Sequence, residues 1–145
     1  MGLAVHSPGT YALIIALDRA HTLQVGRRGK FHFPAGLYFY AGSALGPGGL
    51  AGRLGRHVRA AKRYHWHVDY LLQVARIVDV WTAEGTVRRE CDWARAAMHL
   101  PGARIIVPRF GASDCRCAAH LIHWNTLPER DGFAVLVGDK IQAWR

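Results

Sequence analysis

The sequence predicts one α+β domain in which a small antiparallel or mixed β-sheet is flanked by helices. Three observations indicate this class. The chain has 145 residues, of which 50% are hydrophobic and 10% aromatic, and this composition is sufficient to bury a single core. Strand-like segments recur along the chain, and two other segments carry the periodicity of amphipathic helices. The sequence contains no internal repeat, linker or low-complexity tract, so we expect one domain over residues 1–145.

Strand predictions dominate the first 40 residues. The segments are short, rich in aromatic, branched or aliphatic side chains, and punctuated by Gly and Pro. They cover residues 9–18, 22–25, 31–33 and 36–40. A turn is expected at residues 26–29. Residues 42–49 are dominated by Gly and Pro and are expected to form a loop that leads into a helix.

The first predicted helix covers residues 50–62. Its apolar side chains fall on one stripe about 80° wide, and they are Leu50, Leu54, Val58 and Ala61. Arg53 and His57 lie on the border of that stripe. A border side chain faces a cleft beside the core, so these two residues are candidates for a site.

The second predicted helix covers residues 86–99, with Thr86 as a candidate cap. We expect Glu90 to lie beside the buried stripe, where small neighbours let its carboxylate face a cleft. The predicted stripe is formed by Val87, Cys91, Ala94 and Met98.

The remaining segments are less regular. Residues 65–72 fit either a short helix or an extended strand, and periodicity does not decide between them. Residues 75–82 alternate as a strand with one solvated face. Three later apolar segments are also strand candidates, at residues 105–107, 120–124 and 133–137.

The charge of the chain is strongly basic and unevenly distributed. Lys and Arg number 19 against 10 Asp and Glu, which gives a formal net charge of +9. Up to Arg63 there are nine basic residues and one acidic residue, Asp18. A basic half on a globular domain attracts polyanions such as nucleic acids; the alternative is that the charge serves solubility alone.

Apolar runs are too short for a membrane span. The longest, Ala12–Leu17, falls far short of the roughly 20 residues that a bilayer requires. The N-terminus lacks the basic-then-apolar order of a signal peptide. We therefore expect no membrane association and a cytoplasmic location.

Three cysteines, Cys91, Cys115 and Cys117, are an odd number, which favours a reducing compartment and free thiols. Two interpretations of the cysteine segment remain open, namely free thiols and a zinc site. Cys115, Cys117 and His120, with Cys91 or His123, could bind zinc, but the single residue between the first two is cramped for such a site.

The order of several motifs is informative. Gly9-Thr10-Tyr11 begins one predicted strand, and Tyr40-Ala41-Gly42 ends another. Arg53 and His57 follow on the first helix, and Glu90 comes much later. This succession resembles the GIY-YIG nuclease superfamily, in which the two tripeptides lie on neighbouring strands of a small antiparallel sheet. There an arginine follows on the first helix, and a glutamate on a later helix binds a metal.

Further stretches resemble a poorly characterised prokaryotic branch of that superfamily, found alone or fused to endonuclease III-type repair proteins. The resemblance runs from about Gly9 to Leu121. Thr10 and Ala41 replace the isoleucines of the two tripeptides, and Asn125 lies too far along to match the asparagine of many members. The matching stretches are residues 42–50, 65–72 and 113–121.

The resemblance implies a role for each site residue. Tyr40 would be the general base, with Tyr11 as its hydrogen-bonding companion, because nearby positive charge lowers the pKa of a phenol. Arg53 would hold the scissile phosphate. His57 is an alternative base or a donor to the leaving group. Glu90 would bind one Mg²⁺ or Mn²⁺ ion.

Polar side chains around this set are expected to contact the nucleic acid. His65 and His67 flank Trp66, and with Asp69 they suggest a metal site or a phosphate contact, or a purely structural role. The full predicted nucleic-acid-binding set is Ser43, Arg56, Arg59, Lys62, Arg63, His65 and His67.

The resemblance thus implies a Mg²⁺-dependent endonuclease that hydrolyses DNA phosphodiester bonds in DNA repair or processing. The substrate could be branched or damaged DNA, and a DNA-repair protein is a candidate partner. One alternative is a non-catalytic nucleic-acid-binding module that retains the fold. Another is an interaction domain stabilised by zinc at the cysteine segment.

Overall fold

The computed structural model describes residues 7–58, 67–112, 117–126 and 129–143. Within these described residues, four α-helices and a 3-10 turn at Gly26–Arg28 connect the strands; the helices are α1 (Gly49–Val58), α2 (His67–Leu71), α3 (Glu90–Met98) and α4 (Arg130–Val137). The strands are β1 (Gly9–Leu17), β2 (His21–Gln24), β3 (Lys30–Phe33), β4 (Gly36–Ala44), β5 (Arg76–Glu84), β6 (Leu121–Trp124) and β7 (Gln142–Ala143).

Five strands form one antiparallel sheet in the order β6-β4-β1-β5-β7, and β2 pairs with β3 in a separate hairpin. The predicted α+β class with a small sheet flanked by helices is therefore confirmed. Strand β1 lies at the centre of the sheet and is buried along its whole length. Central position explains its nearly continuous apolar sequence, because both of its faces are covered.

The two faces of the sheet carry separate cores, since successive side chains of a strand point to opposite sides. Leu13 and Ile15 of β1 face α1, α2 and the β2–β3 hairpin. Ala12 and Ile14 face the other way, toward α3 and α4. That second core is filled largely by aromatic rings, which are Phe39, Trp81, Trp93, Trp124 and Phe133.

Strand β4 is longer than the sequence predicts. The expected loop at residues 42–49 is wrong in its first part, because Gly42 and Ser43 pair with Tyr11 and Thr10 of β1 and the strand continues to Ala44. The strand prediction at residues 105–107 is also wrong. An isolated bridge joins Arg104 to His123, and the chain then turns, which lets Val107 enter the core without pairing.

The predicted strand at residues 133–137 is a helix. In α4, Phe133 and Val137 are one turn apart and both buried, which is the spacing of a helical face. Gly138 ends the helix with φ 73°, and its N–H donates to the carbonyl oxygen of Ala134. The short segment 65–72, left open by the sequence, contains helix α2, with residues 65 and 66 outside the described part of the chain.

The buried faces of α1 and α3 differ from the predicted stripes. Helix α3 begins at Glu90 rather than Thr86, and Val87 is 68% exposed. Its buried face includes Trp93, whose indole N–H donates to Asp139, so this ring sets the orientation of the helix. In α1, Val58 is exposed whereas His57 is buried, because His57 hydrogen-bonds to a core tyrosine.

Among the described residues, no helix combines the length and apolar character needed to cross a bilayer.

Candidate active site

A cleft of about 320 Å³ opens where β1 begins and β4 ends. Side chains from β1, β4, α1 and α3 reach it, as do the loops after β4 and before β6. Its lining is formed by Tyr11, Tyr40, Gly42, Ser43, Leu45, Gly46, Arg53, Arg88, Glu90, Gly111 and His120. The fold thus brings polar groups that are far apart in the sequence into one concave surface.

The two tyrosines lie on neighbouring strands and on the same face of the sheet. Tyr11 is opposite Gly42 in the register, and Tyr40 is opposite Leu13, so the two rings are diagonal neighbours. Gly42 leaves space for the Tyr11 ring. A Cβ atom at position 42 would lie 3.0 Å from Tyr11 Cε1 and closer still to Cζ and the hydroxyl oxygen.

Helix α1 places Arg53 and His57 one turn apart beside these rings. The Arg53 guanidinium donates to the carbonyl oxygen of Ser43 through Nη1 at 2.8 Å, which holds it over the end of β4. His57 Nε2 lies 2.7 Å from the Tyr11 hydroxyl, and its ring meets the Tyr40 ring edge-on. His57 is 2% exposed and sits behind the tyrosines rather than in the cleft itself.

The loop before β6 forms the opposite wall. Gly111 has φ 73°, and a Cβ atom there would lie 2.9 Å from Tyr40 Cε1. Its N–H donates to His67 Nδ1 at 3.0 Å, and the His67 ring packs against Phe110. Burial, reinforced by the charge of Arg28, lowers the pKa of His67, which agrees with an Nδ1 that accepts. His67 therefore positions the wall of the cleft.

Glu90 begins helix α3 and is 7% exposed at the edge of the cleft. Arg88 Nε donates to Glu90 Oε1 at 2.8 Å, and Arg88 Nη2 donates to the same oxygen. A carboxylate at the first turn of a helix is also stabilised by the helix dipole. The ion pair holds the Glu90 side chain at the edge of the cleft.

Burial governs the protonation of the two phenols. It raises the pKa of Tyr11 above its ordinary value, and the Arg53 guanidinium offsets only part of this effect. Burial also raises the pKa of Tyr40, with additional contributions from Tyr11 and Glu90. The expectation that positive charge lowers a phenol pKa here is thus outweighed by desolvation. Both hydroxyls are protonated near neutral pH.

Arg56 points away from the cleft, into an ion pair. Its Nη1 and Nη2 donate to Asp69 Oδ1 and Oδ2 at 3.1 and 2.9 Å, and the Asp69 side chain is fully buried. The pair joins α1 to α2. Although Arg56 belongs to the predicted nucleic-acid-binding set, its bidentate contact gives it a structural role in this fold.

The predicted residues thus fall into four groups. Tyr11, Tyr40, Ser43, Arg53 and Glu90 line the cleft. His57 and His67 support its walls from behind, and Arg56 is tied to α2. Four members of the predicted nucleic-acid-binding set lie outside the described residues, namely Arg59, Lys62, Arg63 and His65.

Two lining residues were missed by the sequence reasoning about the cleft. Arg88 is separated from Glu90 by one residue, and that short spacing was the available signal. His120 was considered only with the cysteines. Its position in the cleft depends on long-range pairing, because Ala41 N–H donates to the His120 carbonyl oxygen at 3.0 Å.

The cysteines depart from expectation. Cys91 and Cys117 form a disulfide with Cα atoms 5.9 Å apart, so the prediction of free thiols is wrong for this pair. No local pattern signals this pairing, because the two cysteines are 26 positions apart in the sequence. Cys115 lies outside the described residues. His120 Nε2 lies 3.4 Å from Cys91 Sγ.

Comparison with known proteins identifies one family. The family model described as "Domain of unknown function DUF123" matches residues 10–139. No curated protein matches the chain. No solved structure matches it either.

Proposed function

We propose that this chain, which belongs to the GIY-YIG-like DUF123 family, is a divalent-metal-dependent endonuclease that hydrolyses DNA phosphodiester bonds. One observation carries the proposal. Tyr11, Tyr40, Arg53 and Glu90 come from four different elements and line a single cleft. The proposal includes the statement that this chain is an active member of the GIY-YIG nuclease superfamily.

Hydrolysis of a phosphodiester requires positive charge at the phosphate, an acceptor for a proton of the attacking water, and help for the leaving oxygen. Arg53 supplies the first. Its bond to the Ser43 carbonyl fixes the guanidinium over the end of β4, where its positive charge faces the position proposed for the phosphate. Arg88, also in the cleft, brings a second guanidinium near the same place.

Glu90 is the residue that would hold the metal. Mg²⁺ is commonly bound through one or two carboxylates, with water and substrate phosphate completing its coordination. The donor set fits this pattern, since Glu90 brings a nearly buried carboxylate to a cleft rich in hydroxyl groups. Arg88 occupies Oε1, so Oε2 is the atom offered to the ion. When bound, Mg²⁺ would stabilise charge on the phosphate and make water more acidic.

The protonation of the phenols directs the assignment of the base. A phenol with a raised pKa stays protonated near neutral pH, so it cannot by itself keep a proton taken from water, but it retains a hydrogen to donate. We therefore assign the role of final proton acceptor to His57, because an imidazole is a common general base in proteins. The Tyr11 hydroxyl would accept a proton from water while donating its own to His57 Nε2, 2.7 Å away. Tyr40 would donate to a phosphate oxygen.

The charge of the chain supports DNA as the substrate. The part up to Arg63 carries nine basic residues against one acidic residue. Binding that depends on neutralised phosphates weakens steeply with salt. A role in DNA repair, with branched or damaged DNA as substrate and a repair protein supplying site choice, extends the proposal.

The test uses purified full-length chain with supercoiled plasmid, branched and single-stranded DNA in Mg²⁺ or Mn²⁺. Glu90→Gln and Arg53→Ala should each reduce cleavage by at least about a hundredfold. Glu84→Gln and Arg76→Ala are matched controls, because both residues are exposed on β5 outside the cleft. Equal cleavage by wild type and the two cleft variants would identify a contaminant and refute the proposal.

A non-catalytic nucleic-acid-binding module is the second candidate. The observation that favours it is the Arg88–Glu90 ion pair, which already neutralises the charge of the carboxylate that the metal requires. In that case wild type would bind DNA in a salt-dependent manner but cleave none of the substrates with either metal. Glu90→Gln would then leave both the affinity and its dependence on metal unchanged.

A further inference from the structure

Three potential metal ligands cluster beside the cleft but outside the proposed catalytic set. They are Cys91 on α3, Cys117 before β6 and His120 at the start of β6. Their ligand atoms all lie within 4.8 Å of one another, and Cys91 Sγ is 3.4 Å from His120 Nε2. Two sulfurs and an imidazole are the donors that zinc prefers, whereas magnesium prefers oxygen.

The distance between Cys91 and His120 is close to that of a tetrahedral zinc site. With Zn–S near 2.3 Å and Zn–N near 2.05 Å, a tetrahedral angle separates sulfur from nitrogen by about 3.6 Å. The observed 3.4 Å between Cys91 and His120 is close to this value. Cys117 and His120 are separated by two residues, which is a usual spacing for one ligand pair.

The backbone holds each ligand in place. The His120 N–H donates to the Phe110 carbonyl oxygen at 2.7 Å, and the His120 carbonyl accepts from Ala41. The Cys117 carbonyl oxygen accepts from Arg109 Nη1 at 2.5 Å. Cys91 belongs to the first turn of α3, where a thiolate is favoured by the helix dipole. A preorganised set of this kind binds an ion without refolding.

We propose that Cys91, Cys117 and His120 bind one Zn²⁺ ion when the disulfide is reduced, with water in the fourth position. Reduction by a dithiol cleaves the S–S bond; the dithiol loses two electrons and two protons and becomes a disulfide, and the chain gains two thiols. Zinc binding then releases the two thiol protons to solvent. The disulfide and the zinc site are alternative states of the same cysteines.

The experiment measures metal content and spectrum rather than nuclease activity, so it is independent of the proposed function. Full-length chain is reduced without oxygen, loaded with Zn²⁺, desalted and analysed for zinc, and a parallel sample is titrated with Co²⁺. We expect one zinc per chain and the intense visible absorption of tetrahedral, thiolate-bound Co²⁺. Chain oxidised to the disulfide should bind neither ion, and adding a dithiol should restore both.

Variants locate the site. Cys117→Ser and His120→Ala should each weaken Co²⁺ affinity by at least about tenfold. His99→Ala, which changes an exposed histidine at the C-terminal end of α3, and Cys115→Ser should keep one zinc per chain. The oxidised and reduced wild type provide the same comparison if a variant fails to fold. Absence of zinc in reduced wild type, a Co²⁺ spectrum unaffected by His120→Ala, or zinc lost in Cys115→Ser would overturn the three-ligand assignment.

Discussion

Substitution of Gly42 by Ala tests the packing that places the first tyrosine of the cleft. Gly42 lies in β4 directly opposite Tyr11, and the Tyr11 ring covers its Cα. A Cβ atom would meet Tyr11 Cε1 at 3.0 Å and the end of the ring at shorter distances still. Ordinary carbon contacts are about 3.5–4.0 Å, so the ring must move by half an ångström or more.

The cost of this displacement follows from what surrounds the ring. Tyr11 is 1% exposed, so it cannot swing into solvent, and its hydroxyl is bonded to His57 at 2.7 Å. Overpacking a core costs about 1–3 kcal/mol, and loss of the buried hydrogen bond adds about 1 kcal/mol. We expect Gly42→Ala to lower the free energy of unfolding by about 2–4 kcal/mol. Small domains have about 5–15 kcal/mol, so the variant still folds.

Urea unfolding followed by tryptophan fluorescence measures this loss. The matched control is Gly55→Ala in the middle of α1, where no described atom would lie within 4 Å of the added Cβ. That variant should gain about 0.5–1 kcal/mol, since alanine is the better helix former. An unfolding midpoint of Gly42→Ala equal to that of wild type would show that the ring does not cover position 42.

Two ion pairs and the imidazole of His67 lead to further predictions about the free energy of unfolding. Asp69→Ala should lower the free energy of unfolding by about 3 kcal/mol in urea, because it removes the buried partner of Arg56. Asp18→Asn should change it by less than about 0.5 kcal/mol, since Asp18 and Arg76 are 77% and 59% exposed. The lowered pKa of His67 means that its stabilising contribution is complete above about pH 6.5 and is lost as the pH falls through the folded value. His67→Asn should therefore show a flatter decline in stability between about pH 7.5 and about pH 5.

Each of these expectations can fail in a specific way. Equal losses for Asp69→Ala and Asp18→Asn would mean that burial does not determine the strength of the pairs. A decline below pH 6.5 that is as steep in His67→Asn as in wild type would assign the pH dependence to other histidines of the chain.

The fold was largely predictable where local sequence and burial agree. The apolar, branched run of β1 indicates a strand because few other structures suit it, and the Gly–Pro punctuation bounds it. Residues 133–137 mislead for the opposite reason, since a short apolar run fits a strand or a helix equally well. Contacts of Phe133 with Trp81 and Trp93, from distant parts of the chain, select the helix.

The candidate site was predictable to the extent that its motifs lie in regular elements. Tyr11, Tyr40 and Arg53 could be assigned from order and spacing, because register and helical geometry then bring them together. The contact between His67 and Gly111 joins residues 44 apart, and no local pattern encodes it. The raised phenol pKa values likewise follow from burial, which sequence alone does not quantify.

The identity of the proton acceptor can be read from the pH dependence of cleavage. Burial raises the pKa of Tyr40, so a Tyr40 base would make the rate climb with pH beyond about pH 9. A His57 base acting through Tyr11 would instead give a rate that does not climb above about pH 9, because no phenol must lose its proton before water attacks. We expect this level profile, measured as kcat/KM at saturating Mg²⁺, and we expect Tyr40→Phe to lower the rate without changing the shape of the profile. His57→Gln should lower the rate across the profile; a profile that climbs above about pH 9 in wild type and in that variant would assign the base to a tyrosine.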